Sequence, residues 1–158
     1  MEQSSNTENS SVKTDRLDRR ARRNIALCVL LVASHTLLLG AFIFWFTETF
    51  YTFFFGLSVD NMFFIKQAGL FLLCLGFFYL CPLLNLNRYH PLIYIIIATK
   101  LAAVFFLVSS SQLLPRPFVT YLAAFIDLTM ALGLCYFAFQ FKRLSVRKEP
   151  VQHNSTAT

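Results

Sequence analysis

Residues 24–46 read NIALCVLLVASHTLLLGAFIFWF, twenty-three positions without a charged side chain. At 1.5 Å per residue a helix of this length reaches about 34 Å, enough to cross a hydrocarbon core of about 30 Å. A secretory signal would have a shorter apolar region ending in small residues. This run instead continues into Phe42, Ile43, Phe44, Trp45 and Phe46, so it reads as a span that stays in the membrane.

Three further apolar runs follow. Residues 63–81 form the second, ended by Pro82. Residues 91–109 form the third, with Pro91 at a first helical position where proline is tolerated. Residues 118–141 form the fourth. Between the first two runs, residues 47–62 mix Glu48, Asp60 and Asn61 with Phe50, Tyr51, Phe53, Phe54 and Phe55. So many aromatics beside Trp45 suggest a segment at the membrane interface, with a half-turn of helix closed by Gly56. Short connections make consecutive helices antiparallel neighbours, so the expected fold is all-α: a transmembrane four-helix bundle with up-down topology.

The composition agrees. Of 158 residues 56% are hydrophobic, 16% aromatic and only 14% charged, and the mean hydropathy is +0.57. A water-soluble domain of this size would have to expose much of that apolar surface. A disordered chain would need far more charge, and a disulfide scaffold more cysteine. Cys28, Cys74, Cys81 and Cys135 fall in or beside apolar runs with no CxxC spacing, so they read as small hydrophobes and indicate no metal, redox centre or other cofactor.

The net charge is +6, but its placement matters more than its size. Lys13, Arg16, Arg19, Arg20, Arg22 and Arg23 precede the first span, and Lys142, Arg143, Arg147 and Lys148 follow the last. Basic clusters flanking spans mark the cytoplasmic side and attract anionic lipid. The N-terminal cluster lacks the interleaved aromatics of a single-strand binder, so nucleic acid is not expected as a partner. The four spans then run N-in and C-in, with Glu48 and Asp60 outside and Arg88 inside. Arg116 alone falls on the less expected side. The flanks divide into a polar tail expected to be disordered (1–14), a basic juxtamembrane segment (15–23), the membrane domain (24–141) and a basic, disordered tail (142–158).

Ionisable groups within spans are costly, about 2.5–3.5 kcal/mol at a helix centre, so they must face protein or water. Four stand out: His35, Lys66, Lys100 and Asp127. Counting from the outer helix ends, Lys100, Asp127 and His35 lie roughly 14–16 Å deep and share the midplane, whereas Lys66 is about 5 Å in. Lys100 and Asp127, opposite in sign on consecutive helices, are expected to pair. Gln67 could extend the network outward, and Tyr79 could reach a partner nearer the cytoplasm. The pair either fixes helix register alone or lines a cavity that binds a polar head group or relays protons. Small residues, Gly69 and Gly76 in the second span and Ala98, Ala102 and Ala103 in the third, suggest close approach of those two helices near the pair.

The order of these features, Phe64 to Gly69 as FIKQAG, Gly76 to Leu80 as GFFYL, then Arg88, Pro91, Lys100 and Ile126 to Leu128 as IDL, resembles the small four-span bacterial membrane proteins of the DoxX-like superfamily. The resemblance covers roughly residues 45–141 and implies a four-helix bundle in a bacterial inner membrane. The pattern includes Gln67, Gly69, Tyr79, Lys100 and Asp127. The group has no general activity to carry over, although some members look like accessory membrane subunits of oxidoreductases.

An enzyme is not expected. The chain has no glycine-rich phosphate loop, HExxH or serine elbow, and no Cys/His pair at a plausible spacing. Haem held by two histidines would need a second midplane His beside His35, and His90 and His153 lie in a loop and a tail. The sequence therefore points to an accessory or scaffold subunit, with another membrane protein as partner, or to a binder of a small lipid or quinone. The alternative is a small transporter or proton-coupled carrier with Asp127 as its titrating group.

Overall fold

A computed structural model describes residues 3–56, 58, 61–86 and 88–146 of the chain; side chains are described for Leu17 and from Arg19 to Arg143, apart from positions 57, 59, 60 and 87. Five α-helices carry the fold: α1 (Gln3–Trp45), α2 (Thr47–Phe50), α3 (Phe63–Leu84), α4 (His90–Ser110) and α5 (Pro117–Val146). No strand occurs among the described residues. Four helical stretches are long and apolar enough to cross a membrane: Arg19–Trp45, Phe63–Leu84, His90–Leu113 and Pro117–Arg143.

The bundle is tightest where small or β-branched residues recur at heptad spacing. On α5 the buried positions are Thr120, Ala124, Asp127, Ala131, Leu134, Ala138 and Phe141, alternately four and three apart. Along α1 and on into α2 the buried positions Ile25, Val29, Val32, Thr36, Gly40, Ile43, Thr47 and Phe50 are likewise three or four apart. A 3.5-residue repeat keeps one stripe facing its partners along the whole length of the helix. The larger apolar side chains, among them Leu38, Phe71, Phe105, Phe118 and Phe125, stand exposed on the outside. Small residues within and bulky apolar ones without are what a lipid solvent selects, and this is the surface of a membrane protein.

α1 packs extensively on α3 and also on α5, α4 packs on α5, and α3 touches α4 only lightly. The pairings are antiparallel: Gly76 meets Leu37 while Gly69 meets Phe44, and Cys28 approaches Gly133 while Arg22 lies over Phe141. The helices therefore close a ring in chain order whose loosest seam lies between α3 and α4. This corrects one expectation. Gly69 and Gly76 do not draw the second and third spans together but seat α3 on α1, where a Cβ on Gly69 would lie 2.8 Å from the Phe44 amide nitrogen.

Three boundaries also differ from expectation. The segment expected as a disordered tail up to residue 14 is helical from Gln3. A helix already nucleated by the span extends at little cost per residue. Pro82 does not end α3, which runs on to Leu84, because in the last turn a proline sacrifices only one intrahelical bond. α5 continues through residues 142–146. Met1, Glu2, Asp60 and residues 147–158 lie outside the described residues.

At the end of the bundle away from both termini, α1 breaks at Phe46 (φ −118°, ψ 40°) and resumes as α2. The Thr47 hydroxyl donates to the Ile43 carbonyl at 2.6 Å across this bend. A single π-helical turn, Tyr51–Phe55, then closes on Gly56 at φ 68°, the left-handed conformation glycine accepts without strain. Phe42 meets Phe50 and Phe54 edge to face, and Phe50 and Phe54 lie tilted to each other, with ring centroids 5.0–6.5 Å apart, folding this segment back onto α1. Burial raises the Tyr51 phenol above its ordinary pKa.

Candidate functional site

The middle of the bundle is where charge is least expected, and there the Lys100 ammonium donates to Asp127 Oδ1 at 2.6 Å. Lys100 is 6% and Asp127 7% exposed. Each occupies a core position of its helix, so burial follows from the same periodicity that buries Ala124 and Ala131. An ion pair this well enclosed is desolvated on both sides, and its mutual attraction must offset that cost. Removal of one partner would strand the other inside hydrocarbon.

α3 contributes Tyr79, which is 1% exposed, and its hydroxyl lies 2.5 Å from Thr99 Oγ1 on α4. The Thr99 hydroxyl has a single proton, directed at the backbone carbonyls of Ile95 and Ile96 at 3.1 and 2.9 Å. Tyr79 is therefore the donor to Thr99 Oγ1. This bond bridges the lightly packed α3/α4 seam, one residue from Lys100. Both Tyr79 and His35 lie within electrostatic range of Asp127.

His35 enters from α1, half-buried, and also lies within electrostatic range of Lys100. Its Nδ1 is buried and has no hydrogen-bond partner among the described residues. The neighbouring Thr36 hydroxyl satisfies itself on the Val32 carbonyl at 2.9 Å. Every spanning helix thus brings a polar side chain to this region of the bundle, where Lys100–Asp127 and Tyr79–Thr99 are the two bonded pairs.

Lys66 and Gln67 do not join it. Both side chains are exposed near the start of α3, where a long cationic side chain can reach the membrane–water boundary. Depth along a helix can be counted from sequence, but rotation about its axis cannot when apolar residues surround it on all sides. The sequence does not single out Thr99. Its adjacency to Lys100 was a signal, but threonine in a span usually bonds its own backbone and so does not stand out.

Arg116 is the other residue whose role the sequence left unexplained. From the α4–α5 connection its Nη1 donates to the Phe53 carbonyl in the π-helical turn. A Cβ on Gly56 would lie 3.3 Å from Arg116 Nε. A cation at a helix C-terminus satisfies orphan carbonyls and offsets the negative end of the dipole. Arg116 is thus a tie between two connections, which accounts for a basic residue at that end of the bundle.

Among the described residues no group of three or more His, Cys, Asp and Glu is placed to hold a metal ion. No protein-family model, curated protein or solved structure matches this chain. This region of the bundle offers a balanced charge pair, a phenol and an imidazole nitrogen in an apolar surround. Such a set can fix helix register, hydrogen-bond a polar head group, or hold a proton.

Proposed function

We propose that this chain is a non-enzymatic integral membrane protein, an accessory or scaffold subunit or a binder of a small membrane-soluble ligand such as a lipid or quinone, with the Lys100–Asp127 pair organising its interior. The observation that carries this reading is that pair, buried at 2.6 Å in mid-span. The basic flanks favour an N-in, C-in orientation in a cytoplasmic membrane, where they attract anionic lipid. The sequence resemblance to the DoxX-like group is compatible with an accessory role in a bacterial inner membrane.

Purification in mild detergent, with identification of the lipid, quinone or protein that accompanies the chain, tests the proposal. Lys100→Met/Asp127→Leu removes the pair while keeping volume. A variant that folds but loses the bound species assigns the pair to binding. One that folds and keeps it, with unchanged cellular phenotype, assigns the pair to architecture.

A second reading is favoured by the unpartnered Nδ1 of His35 beside the pair: a small proton-coupled carrier in which Asp127 titrates. Proteoliposomes loaded with a pH-sensitive dye separate the two. Proton movement that disappears in Asp127→Asn supports the carrier, and its absence in the parent protein excludes it.

A further inference from the structure

The outer face of a membrane helix is normally apolar, which makes one stripe of α5 unusual. Tyr136, Phe139, Gln140 and Arg143 follow one another at i, i+3, i+4 and i+7 and so line a single face. Tyr136 is 59% and Phe139 54% exposed. Gln140 Nε2 donates to the Tyr136 hydroxyl at 2.6 Å, and the Arg143 guanidinium lies over the Phe139 ring, 4.5 Å from its centroid. The stripe ends close to where the span Pro117–Arg143 leaves the apolar region.

We infer that this stripe holds the phosphodiester head group of an anionic lipid, with Arg143 on the phosphate, Gln140 and Tyr136 on the phosphate or ester oxygens, and Phe139 under the upper acyl chain. The inference rests on the reading of α5 as a membrane span and makes the attraction to anionic lipid a site with named residues. The donor count favours it. With Gln140 donating to Tyr136, the phenol proton and the second amide proton are not used between the two side chains. With the amide turned over, both of its protons remain instead. Either way two donors are left over within the exposed stripe, beside a guanidinium 4.5 Å from the Phe139 ring centroid whose planar fork can chelate oxygen.

The ligand's charge follows from the surroundings. Lys142 adjoins Arg143, and the only acid in α5, Asp127, is consumed by Lys100 in the bundle interior. A site made of donors and cations selects an acceptor-rich anion. Its lipid-exposed position and the bare face of Phe139 select an anion that carries an acyl chain.

The test is retention of phosphatidylglycerol against phosphatidylcholine by the full-length chain, measured by native mass spectrometry from mixed micelles. Tyr136→Phe/Gln140→Leu removes the unused donors without altering charge. It is expected to lower the preference for phosphatidylglycerol about tenfold, the loss of two modest hydrogen bonds. Arg143→Lys, which keeps the charge but not the fork, should also weaken it. Thermal unfolding should be unchanged, because the stripe is exposed.

If the charge-neutral double variant keeps full preference while Arg143→Gln loses it, the attraction is generic and the site does not exist. Full preference in every variant overturns the site and the generic attraction together. A parent protein that elutes as a dimer, reduced to a monomer by Tyr136→Phe/Gln140→Leu, would assign the stripe to a second copy of the chain and overturn the proposal.

Discussion

Gly40 of α1 and Gly69 of α3 face each other so closely that a Cβ on either would come within 3.0 Å of the other's carbonyl oxygen. Backbone thus packs on backbone, and the most extensive interface of the bundle depends on two missing side chains. Gly69→Ala is expected to force the helices apart at a cost of about 1–3 kcal/mol, the range for overpacking a tight contact. A lowered thermal midpoint in detergent checks this, and an unchanged one would mean that the helices separate freely there. Gly133, where an added Cβ would meet only Cys28 Sγ at 3.6 Å, should accept alanine without loss.

The Lys100–Asp127 pair predicts an asymmetry between single and double substitutions. Asp127→Leu alone strands an ammonium in the core and should destabilise by about 3–5 kcal/mol. Lys100→Met/Asp127→Leu removes both charges and should recover most of that loss. Chemical unfolding of the three proteins in the same detergent gives the comparison. A double variant as unstable as the single one would place the stability of this region elsewhere.

The Tyr79–Thr99 bond predicts another. Thr99→Val leaves a buried phenol without its acceptor, costing about 1–3 kcal/mol, whereas Tyr79→Phe leaves Thr99 still bonded to its own backbone and costs about 0.5–1.5 kcal/mol. Equal losses in the two variants would show that Tyr79 finds another partner. Unfolding midpoints of the two variants are the measurement.

At the far end, Gly56→Ala must place a side chain at φ 68° and against Arg116. A left-handed L-residue costs roughly 1–2 kcal/mol. The loss should remain local, visible as faster hydrogen exchange across residues 47–56 with the spans unaffected. Arg116→Gln should reproduce the faster exchange by removing the donor to Phe53. Protection unchanged in both variants would mean that the tie contributes nothing to holding the connection.

How much of this was legible in the sequence depends on the kind of information each feature required. The four spans follow from hydropathy and length, and the depth of Lys100 and Asp127 follows from counting along them. The closure of the turn at Gly56 was visible because only one residue type accepts that geometry easily. Rotation was not visible. Lys66 and Gln67 lie on exposed positions of α3, and the glycines that were expected to meet α4 meet α1 instead. A helix apolar on all faces carries no amphipathic signal to orient it. The π-helical turn and the hold of Arg116 upon it needed three-dimensional proximity between residues 63 positions apart.

The membrane imposes an order on this architecture. Lys100 reaches the bilayer with α4, while its counter-ion is encoded 27 residues later on α5. Until α5 is made, an ammonium costing about 2.5–3.5 kcal/mol waits in the hydrocarbon unmatched. The last two helices are therefore expected to enter as one hairpin, with charge neutralised on arrival. A chain cut short between them would carry an exposed fault that cellular surveillance could recognise.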